Sequence, residues 1–402
     1  MPATRAAGPS LRLKHGRDRS LKLRHPWIFS GAVAGVDGAP ASGDTVPVIG
    51  DDGKLLGQAA YSPSSQIRAR VWTFDALECV DAAFFARRVA MAIAARDGML
   101  DADHTGCRLI HGESDGLPGV IADRYGETIV MQLSSAGAER WRDSIVEALA
   151  AQPGVICVYE RSDADVRTIE GLAPRNGVAS GTLPDTVSLV EAGLRYEVDV
   201  AAGQKTGFYL DQRDSRAAVR ALAAGRETLN MFCYTGGFTL AALAGGASRV
   251  LSVDSSSGAL ALARANLARN AMLPAERAEW RDADAFAELR KLRDAGASFD
   301  LVVLDPPKFA PTAQHAERAS RAYKDINLWA LKLLRPGGLL ATFSCSSGVD
   351  AGLFRKIVGG AALDAGADAA VIGRFGPSAD HPAALAFPEG DYLKGLLIRK
   401  SA

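Results

Sequence analysis

NMFCYTGG, at residues 230–237, is the stretch of sequence that decides the fold of the second half of the chain. It continues ETLNMF at 227–232, which predicts a β-strand, and it ends in Gly236 and Gly237, which predict a tight turn. In open α/β sheets, ligands bind beyond the carboxyl ends of strands, where a glycine-rich turn lets the backbone approach them. Taken alone, the stretch indicates either a nucleoside-binding turn or a plain tight turn.

Strands and helices alternate after this turn. Helical spacing of apolar residues at 257–272 predicts a helix, and further strands are predicted at 249–254, 278–284, 300–305 and 338–345. Alternation of this kind is typical of a mostly parallel sheet with helices on both faces. The sequence therefore predicts an α/β doubly wound domain from about residue 187 onward.

Acidic residues end three of these predicted strands and indicate what the turn binds. Asp254 stands where a carboxylate accepts hydrogen bonds from ribose hydroxyls, a position that would also serve NAD. The loop lacks the third, spaced glycine of GxGxxG, which argues against a dinucleotide. Asp282 and Asp284, with Ala283 between them, could accept the adenine amino group, and Asp305 is held by Pro306 and Pro307 at the pocket edge. This set predicts S-adenosylmethionine as the cofactor and a methyltransferase as the function.

Further cofactor-binding candidates surround the turn. Upstream, Phe208 and Tyr209 could wall the cofactor, Asp211 could meet its ammonium group and Arg213 its carboxylate. The alternative is that Phe208 belongs to the core and that the charges cap a helix. The remaining candidates are loop residues next to the predicted strand ends, namely Asn230, Phe232, Tyr234, Thr235, Gly236 and Ser255.

Cysteines are the candidate nucleophiles. Carbon 5 of cytosine is a poor nucleophile, and its methylation needs a thiolate that adds at carbon 6. Cys345, in FSCSS at the end of the fifth predicted strand, falls on the same sheet edge as Asp305, whereas Cys233 lies inside the turn and is expected to pack. A buried cysteine is usually a small apolar residue. The polar neighbours of Cys345 and its place at a strand end favour the catalytic interpretation.

The first half of the chain has a different pattern. Short strands broken by Gly, Pro and Asp predict a small barrel and fall at 27–33, 44–49, 54–61 and 67–74. A helix at 81–97 opens a small α+β module, which continues with a strand at 128–135, a helix at 138–151 and a strand at 155–163. Residues 164–185 contain several Gly and Pro and are interpreted as a linker or long hairpin.

The composition of the chain bears on its number of domains, its metal sites and its location. The 402 residues are 48% apolar, which indicates two or three domains with real cores. Five scattered cysteines without a CxxC pair or clustered histidines predict no metal site and a reducing cytoplasm. No run of about 18 apolar residues and no signal-peptide core occurs, so no membrane association is expected.

Charge is balanced overall and uneven locally. Lys plus Arg number 46 and Asp plus Glu number 46, so net charge cannot attract a polyanion. The first 36 residues, however, carry seven Lys and Arg against Asp18 alone. This basic segment is either a solvated edge or a surface for nucleic acid.

Nine sequence blocks carry a family resemblance that extends over nearly the whole chain. They are HPWIFSGAV, LPGVIADRYG, TGFYLDQRDSR, NMFCYTGGF, SVDSS, LDPPKF, YKDIN, FSCSS and DHP with PEGDYLKG. In this order they resemble the RlmI-type bacterial 23S ribosomal RNA cytosine-C5 methyltransferases. The resemblance implies a PUA RNA-binding β-barrel at 8–80, an α+β domain called EEHEE at 81–185, and a Rossmann-like S-adenosylmethionine-dependent methyltransferase domain at 186–402.

The same resemblance assigns roles to individual residues. It implies that Cys345 is the nucleophile, that the product is 5-methylcytosine and that 23S ribosomal RNA, not DNA, is the partner. Other RNA cytosine-C5 methyltransferases have a second cysteine directly after the proline that follows the strand-four Asp, where this chain has Pro307 and Lys308. Asp305 then becomes the candidate for holding the cytosine N3 and amino edge, with Lys308 on the phosphate backbone.

RNA recognition is expected at the basic N-terminal segment. PUA domains bind structured RNA through shape and backbone contacts, which makes Arg17, Lys22 and Arg24 candidate RNA-binding residues. Trp27 is either a core residue or a stacking platform. A methyltransferase for another base, such as uracil carbon 5 or a guanine amino group, and a non-catalytic RNA-binding protein remain the alternatives, and the oligomeric state stays open, a homodimer included.

Overall fold

The computed structural model describes residues 8–310 and 316–401. The chain divides into two compact units. The first comprises the residues up to Leu189 together with the segments Val198–Phe208 and Asp380–Gly390. The second comprises Val190–Glu197, Tyr209–Ala379 and Asp391–Ala402. The boundaries predicted at residues 80 and 185 stay predictions.

The first unit begins with a six-stranded sheet in the order β2-β6-β5-β4-β1-β3. Its apolar side chains, such as Leu11, Val46 and Val71, alternate with exposed ones and form a closed core. The elements are β1 Ser10–Leu13, α1 Arg19–Lys22, β2 Trp27–Phe29, β3 Val33–Asp37, β4 Thr45–Ile49, β5 Leu55–Tyr61 and β6 Ile67–Thr73. The four strands predicted from the sequence in this region all have counterparts here.

A five-stranded sheet in the order β11-β10-β9-β8-β7 completes the first unit. The Asp81 side chain caps the first helix by accepting a hydrogen bond from the Phe84 amide at 2.8 Å. The elements are α2 Ala82–Ala94, β7 Gly106–His111, β8 Val120–Tyr125, β9 Thr128–Leu133, α3 Ala136–Arg140, α4 Arg142–Ala150, β10 Cys157–Ser162, α5 Val166–Ile169 and β11 Arg175–Gly181.

Two predictions for this region were wrong. For residues 164–185 the linker interpretation was wrong and the alternative of a long hairpin agrees with the structure, because the segment contains α5 and β11, and β11 pairs antiparallel with β10 at the edge of the sheet. The helix predicted at 138–151 is two helices, α3 and α4, which meet at Trp141. The edge position explains the first error, since β11 has mostly exposed and half-buried side chains and therefore lacks the pattern of a buried strand.

The second unit contains a seven-stranded sheet in the order β16-β15-β14-β17-β18-β20-β19. A two-stranded sheet pairs β12 Ser188–Glu191 with β13 Leu194–Glu197. The elements of the large sheet and its helices are α6 Arg213–Leu222, β14 Glu227–Met231, α7 Gly237–Ala244, β15 Arg249–Asp254, α8 Ser257–Ala268, β16 Ala278–Asp282, α9 Ala285–Asp294, β17 Phe299–Leu304, α10 Ala316–Leu333, β18 Leu334–Ser344, α11 Ala351–Ala365, β19 Ala369–Phe375 and β20 Lys394–Lys400.

The central strands read as continuous apolar runs because both of their faces are covered. Strands β14, β15, β17 and β18 are buried along most of their length and pair in parallel, as expected for a sheet with helices on both sides. Strand order reverses at β14, which lies between β15 and β17. The carboxyl ends of these strands therefore meet at one edge, at a topological switch point.

The sequence patterns did not predict the two strands beyond β18 in this sheet, and they placed the end of one strand too far along the chain. Strands β19 and β20 were not predicted, and both run antiparallel to their neighbours. The strand predicted at 278–284 ends at Asp282, because Asp284 is the N-cap of α9 and accepts a hydrogen bond from the Ala287 amide at 2.9 Å. Helix α8 ends at Ala268, four residues before the predicted end at 272.

Candidate active site

The loop after β14 has a strained backbone that is tied down by hydrogen bonds. Phe232 and Tyr234 have positive φ values of 60° and 46°, and Gly236 has a φ of 86°. Non-glycine residues pay a conformational cost there, and such strain collects at functional sites. The Gly236 amide donates to the Cys233 carbonyl at 2.9 Å. A side chain at Gly236 would lie 3.1 Å from the Trp280 ring, so this position requires glycine.

Asp254, at the end of β15, organises three strand ends. Its carboxylate accepts hydrogen bonds from the Tyr234 amide at 2.8 Å and from the Ser256 amide at 2.9 Å. Its backbone carbonyl accepts a hydrogen bond from the Ala283 amide at 3.0 Å. A carboxylate has about four acceptor positions, so these bonds leave capacity for a ligand hydroxyl.

Asn230 is buried at the end of β14 and is held from one side. Its Nδ2 donates to the Thr239 hydroxyl at 2.9 Å, and Thr239 exchanges a hydrogen bond with Ser252 at 2.7 Å. Within the described part of the chain, the Asn230 Oδ1 atom has no hydrogen-bond partner. A buried polar atom in this state calls for a ligand or a water, and it lies at the strand end where a ligand is expected.

The segment before α6 contributes aromatic and acidic groups. The Tyr209 ring contacts the Tyr234 ring edge-on, with centroids 5.5 Å apart. Burial, assisted by the nearby charges of Asp305, Tyr234 and Cys345, raises the pKa of the Tyr209 hydroxyl well above its ordinary value. The buried Asp211 accepts a 2.6 Å hydrogen bond from the Tyr392 hydroxyl.

Gln212 and Tyr392 were not predicted as site residues from the sequence. Gln212 Nε2 donates to Asp305 Oδ1 at 3.0 Å, which orients the carboxylate, and the Gln212 Oε1 atom is buried without a partner among the described residues. Gln212 lies inside the block LDQR, so the signal was present, but an amide between two charged residues gave no reason to single it out. Tyr392 lies far along the chain in PEGDYLKG, and only the fold brings it to Asp211.

Cys345 follows β18, and a polar network holds the residues on either side of it. The Tyr323 hydroxyl lies 2.9 Å from both the Ser344 and Ser346 hydroxyls, and the Ala310 amide donates to Ser346 Oγ at 3.0 Å. Burial raises the pKa of Tyr323, and nearby charges at Cys345 and Asp305 add to this. Cys345 itself is partly exposed.

Cys233 has a different environment. Only 5% of its surface is exposed, and burial together with the charge of Asp254 raises the pKa of its thiol well above the ordinary value. A thiol in this environment stays protonated and is a poor nucleophile. The chemistry therefore favours Cys345 of the two cysteines at this sheet edge.

The structure places the predicted site residues in different parts of the molecule. Tyr209, Asp211 and Arg213 precede or begin α6, and the other predicted cofactor residues of the second unit lie at or just after the carboxyl ends of its parallel strands. Phe208 belongs to the first unit, where its carbonyl accepts a hydrogen bond from the Tyr125 hydroxyl at 3.2 Å. Lys308 is exposed and donates to the Ser347 hydroxyl at 3.1 Å.

The basic N-terminal residues are partly neutralised. Lys22 pairs with Asp18 at 2.7 Å, and Arg12 pairs with Asp37 at 2.8 Å, an acid just beyond the segment counted in the sequence. Arg17 is exposed.

The basic segment continues into an aromatic contact and a packed indole. The Arg24 guanidinium lies 5.0 Å from the centre of the Phe74 ring. Trp27 is half-buried, donates its indole N–H to Glu113 at 2.8 Å and packs on Phe387.

Comparison with known proteins identifies the family. A family described as S-adenosylmethionine-dependent methyltransferase matches residues 174–355, and a PUA-like domain family matches residues 11–74. A ribosomal RNA large subunit methyltransferase I from Shewanella denitrificans is 50% identical over 392 residues, covering 97% of this chain and 98% of that protein. The protein of the same name from Photobacterium profundum is 51% identical over 389 residues, covering 96% and 98%.

The chain belongs to the ribosomal RNA large subunit methyltransferase I family. It is an S-adenosylmethionine-dependent methyltransferase with a PUA-like N-terminal domain, which confirms the predicted family, fold class and cofactor.

Solved structures agree on the fold. A candidate S-adenosylmethionine-dependent methyltransferase from Streptococcus mutans matches with a TM-score of 0.83 at 22% identity, covering 97% of this chain and 99% of that one. A candidate methyltransferase solved in complex with S-adenosylhomocysteine matches with a TM-score of 0.85, also at 22% identity, with the same coverage.

The residues at the sheet edge fit S-adenosylmethionine. The Asp254 carboxylate retains acceptor capacity for ribose hydroxyls, and the buried Asn230 Oδ1 offers a further acceptor. The glycine turn lets the backbone come close to the ligand. Among the described residues no group of three or more His, Cys, Asp or Glu side chains could hold a metal ion. No helix within residues 8–310 and 316–401 is both long and apolar enough to cross a membrane.

Proposed function

We propose that this enzyme transfers a methyl group from S-adenosylmethionine to carbon 5 of a cytosine in 23S ribosomal RNA, with Cys345 as the nucleophile. The observation that carries the proposal is the position of Cys345. It follows β18, the neighbour of β17, which ends one residue before Asp305. The charges of Cys345 and Asp305 both raise the pKa of the Tyr209 and Tyr323 hydroxyls, which supports our assignment of these groups to one site.

The chemistry requires a temporary bond to the base. The Cys345 thiolate adds to carbon 6, which forms an Sγ–C6 bond and makes carbon 5 nucleophilic. S-adenosylmethionine, when bound, would supply the electrophilic methyl group that becomes bonded to carbon 5, and its S–CH3 bond would break with S-adenosylhomocysteine as the leaving group. A base then removes the proton from carbon 5, the electron pair restores the C5–C6 double bond, and the Sγ–C6 bond breaks. In this scheme Asp305, oriented by Gln212, binds the N3 and amino edge of cytosine.

The relatives' names and the PUA-like domain support RNA as the partner. The curated relatives are named ribosomal RNA large subunit methyltransferase I, and PUA domains bind structured RNA. We assign Arg17, Lys22 and Arg24 to contacts with the RNA backbone, where their charges displace counterions. Lys308, exposed after β17, is assigned to a phosphate near the target base.

Covalent trapping tests the mechanism. RNA in which the target cytosine carries fluorine at carbon 5 cannot lose a proton there, so the Sγ–C6 adduct should persist. We expect an adduct that survives denaturation and maps to Cys345 by peptide mass spectrometry. Cys345→Ala should give no adduct, whereas Cys79→Ala, which removes an exposed cysteine, should give the wild-type amount. Absence of the adduct with enzyme that methylates normal RNA would refute the covalent mechanism.

Nucleoside analysis tests the choice of base. Mass spectrometry of ribosomal RNA from cells with and without this enzyme should show loss of one 5-methylcytosine from the 23S molecule. Loss of a methyluridine or of a methylguanosine instead would favour the alternative base specificities, and no loss would favour a binding function.

A further inference from the structure

Lys394 stands directly beside the nucleophile loop. It begins β20, where it is the antiparallel partner of Ser344, the residue before Cys345. Its ammonium group donates to the carbonyls of Ser346 and Val349 at 2.8 and 2.6 Å. These two bonds close the loop 345–349 around one cation.

Lys394 and Cys345 also interact electrostatically. Burial lowers the pKa of the Lys394 ammonium, and the negative charge of Cys345 is the largest opposing influence. The surrounding charged and titratable groups have both signs: Asp350 and Asp391 raise the pKa of Lys394 and Lys308 lowers it. On other elements, the Tyr209 and Tyr323 hydroxyls interact electrostatically with both Cys345 and Asp305. A neighbouring ammonium is one of the few groups that favours a thiolate over a thiol.

Lys400 supplies an internal comparison on the same strand. Its ammonium also donates to two backbone carbonyls, those of Leu331 and Leu334, at 3.0 and 2.7 Å. Burial lowers its pKa as well, but no cysteine contributes to the shift. Both lysines therefore bind backbone carbonyls, whereas only Lys394 of the two interacts electrostatically with a cysteine.

We propose that Lys394 is a positioning residue for Cys345, whose ammonium group fixes the loop 345–349 and stabilises the thiolate that attacks cytosine. The inference rests on the proposed role of Cys345 as nucleophile. The sequence blocks did not indicate this role of Lys394, because Lys394 lies 49 positions from Cys345 and only the β18–β20 pairing brings the two residues together.

The test measures thiolate directly, without RNA or cofactor. The full chain is alkylated with iodoacetamide across a range of pH, and modification of Cys345 is quantified by peptide mass spectrometry. Lys394→Met should raise the pH midpoint of Cys345 alkylation by about one unit, which makes its rate near neutral pH about tenfold lower. Lys394→Arg should restore most of the wild-type midpoint. Lys400→Met, which removes the matched lysine, should leave the midpoint unchanged.

Two results would overturn the inference. One is an unchanged midpoint in folded Lys394→Met, since a purely structural lysine would alter stability but not the ionisation of the thiol. The other needs no variant: in the wild-type protein the Cys345 midpoint should lie below that of the exposed Cys79, and an equal or higher value contradicts the proposal.

Methyl-transfer kinetics complete the test. We expect Lys394→Met to lower kcat and to move the pH profile upward, with little change in KM for S-adenosylmethionine. If the trapping experiment fails while the alkylation shift is present, Lys394 stabilises the thiolate but the proposed function is wrong. If trapping succeeds and the shift is absent, only the role of Lys394 is wrong.

Discussion

Two cysteine-containing loops at one edge of the second unit's sheet have opposite properties. The loop after β14 buries Cys233, whose thiol pKa burial raises well above its ordinary value. The loop after β18 leaves Cys345 partly exposed, with Lys394 bound to the carbonyls that follow it. Both cysteines follow a parallel strand at a ligand-binding edge, so position in the fold does not distinguish them. Their burial and the charges that interact with them do.

The comparison also separates two tasks. The β14 loop has a constrained backbone, with positive φ at Phe232, Tyr234 and Gly236, and we propose that its polar groups hold the cofactor. The β18 loop is held by side chains, through Tyr323 and Lys394, and in our proposal it presents the nucleophile. A loop that binds a ligand needs a fixed backbone shape, whereas a nucleophilic thiol needs neighbouring charges that favour its ionised form.

The largest expected effect comes from exchanging the cysteines one at a time. Cys345→Ala should lower the methyl-transfer rate by roughly 10⁴-fold or more while leaving binding of S-adenosylhomocysteine intact, because the covalent step is lost. Cys233→Ala should still form the fluorocytosine adduct, at a rate lowered only as far as the cofactor loop loosens. Single-turnover methylation and calorimetric titration check both; full activity of Cys345→Ala would remove the distinction between the loops.

Next in size is the effect of Asp254. Both of its oxygens accept backbone amides, so Asp254→Asn presents a donor to one of them and disturbs the loop. We expect the Kd for S-adenosylhomocysteine to rise about tenfold or more. Asp81→Asn makes the same exchange at the cap of α2, a position that asparagine tolerates, and should leave both stability and affinity near wild type. Equal affinities of the two variants would contradict the assigned role.

A smaller effect tests the rigidity of the β14 loop. Gly236→Ala adds a methyl group at a φ of 86°, in contact with Trp280, Ala263 and Leu240, and should lower the free energy of unfolding by about 2 kcal/mol. Gly359→Ala, inside α11 with no atom within 4 Å of the added group, should raise it by about 0.5–1 kcal/mol. Denaturant titration measures both, and a neutral Gly236→Ala would show that the loop is not constrained as described.

The smallest effect is an alkaline dependence from Cys233. Its folded pKa lies above the unfolded value, so its contribution to stability is complete below the ordinary thiol pKa and is lost as pH rises toward the folded value. At about pH 9 the loss should be about 1 kcal/mol, since the unfolded thiol ionises and the folded one does not. Unfolding titrations of Cys233→Ala should be less sensitive to alkaline pH than those of wild type, and parallel curves would argue against a protonated thiol.

Much of the second unit could be predicted because buried parallel strands leave a strong local signal. The strand predicted at 249–254 matches β15, and those at 227–232 and 300–305 differ from β14 and β17 by one residue. Asp254 and Asp305 were found because they end such strands, so that locating the strand also located the carboxylate. The specificity for cytosine carbon 5 stays a prediction.

What could not be predicted depends on partners that are distant in sequence. The side chains of the exposed edge strand β11 lack the pattern of a buried strand, so its sequence resembled a linker. Its strand conformation depends on pairing with β10. Gln212, Tyr323 and Lys394 were missed as site residues for the same reason: an amide, a phenol and a lysine have no functional meaning until the fold places them against Asp305 or the Cys345 loop.

The sequence by itself predicted the fold class and the cofactor, because apolar periodicity, acidic strand ends and a glycine turn are local features, and the resemblance of its sequence blocks indicated the family. It also predicted Cys345 rather than Cys233 as the nucleophile, and that role stays a prediction. The tertiary structure decided which cysteine is buried beside a carboxylate and which stands beside an ammonium group. Burial and through-space charge control thiol ionisation, and both depend on residues that only folding brings together.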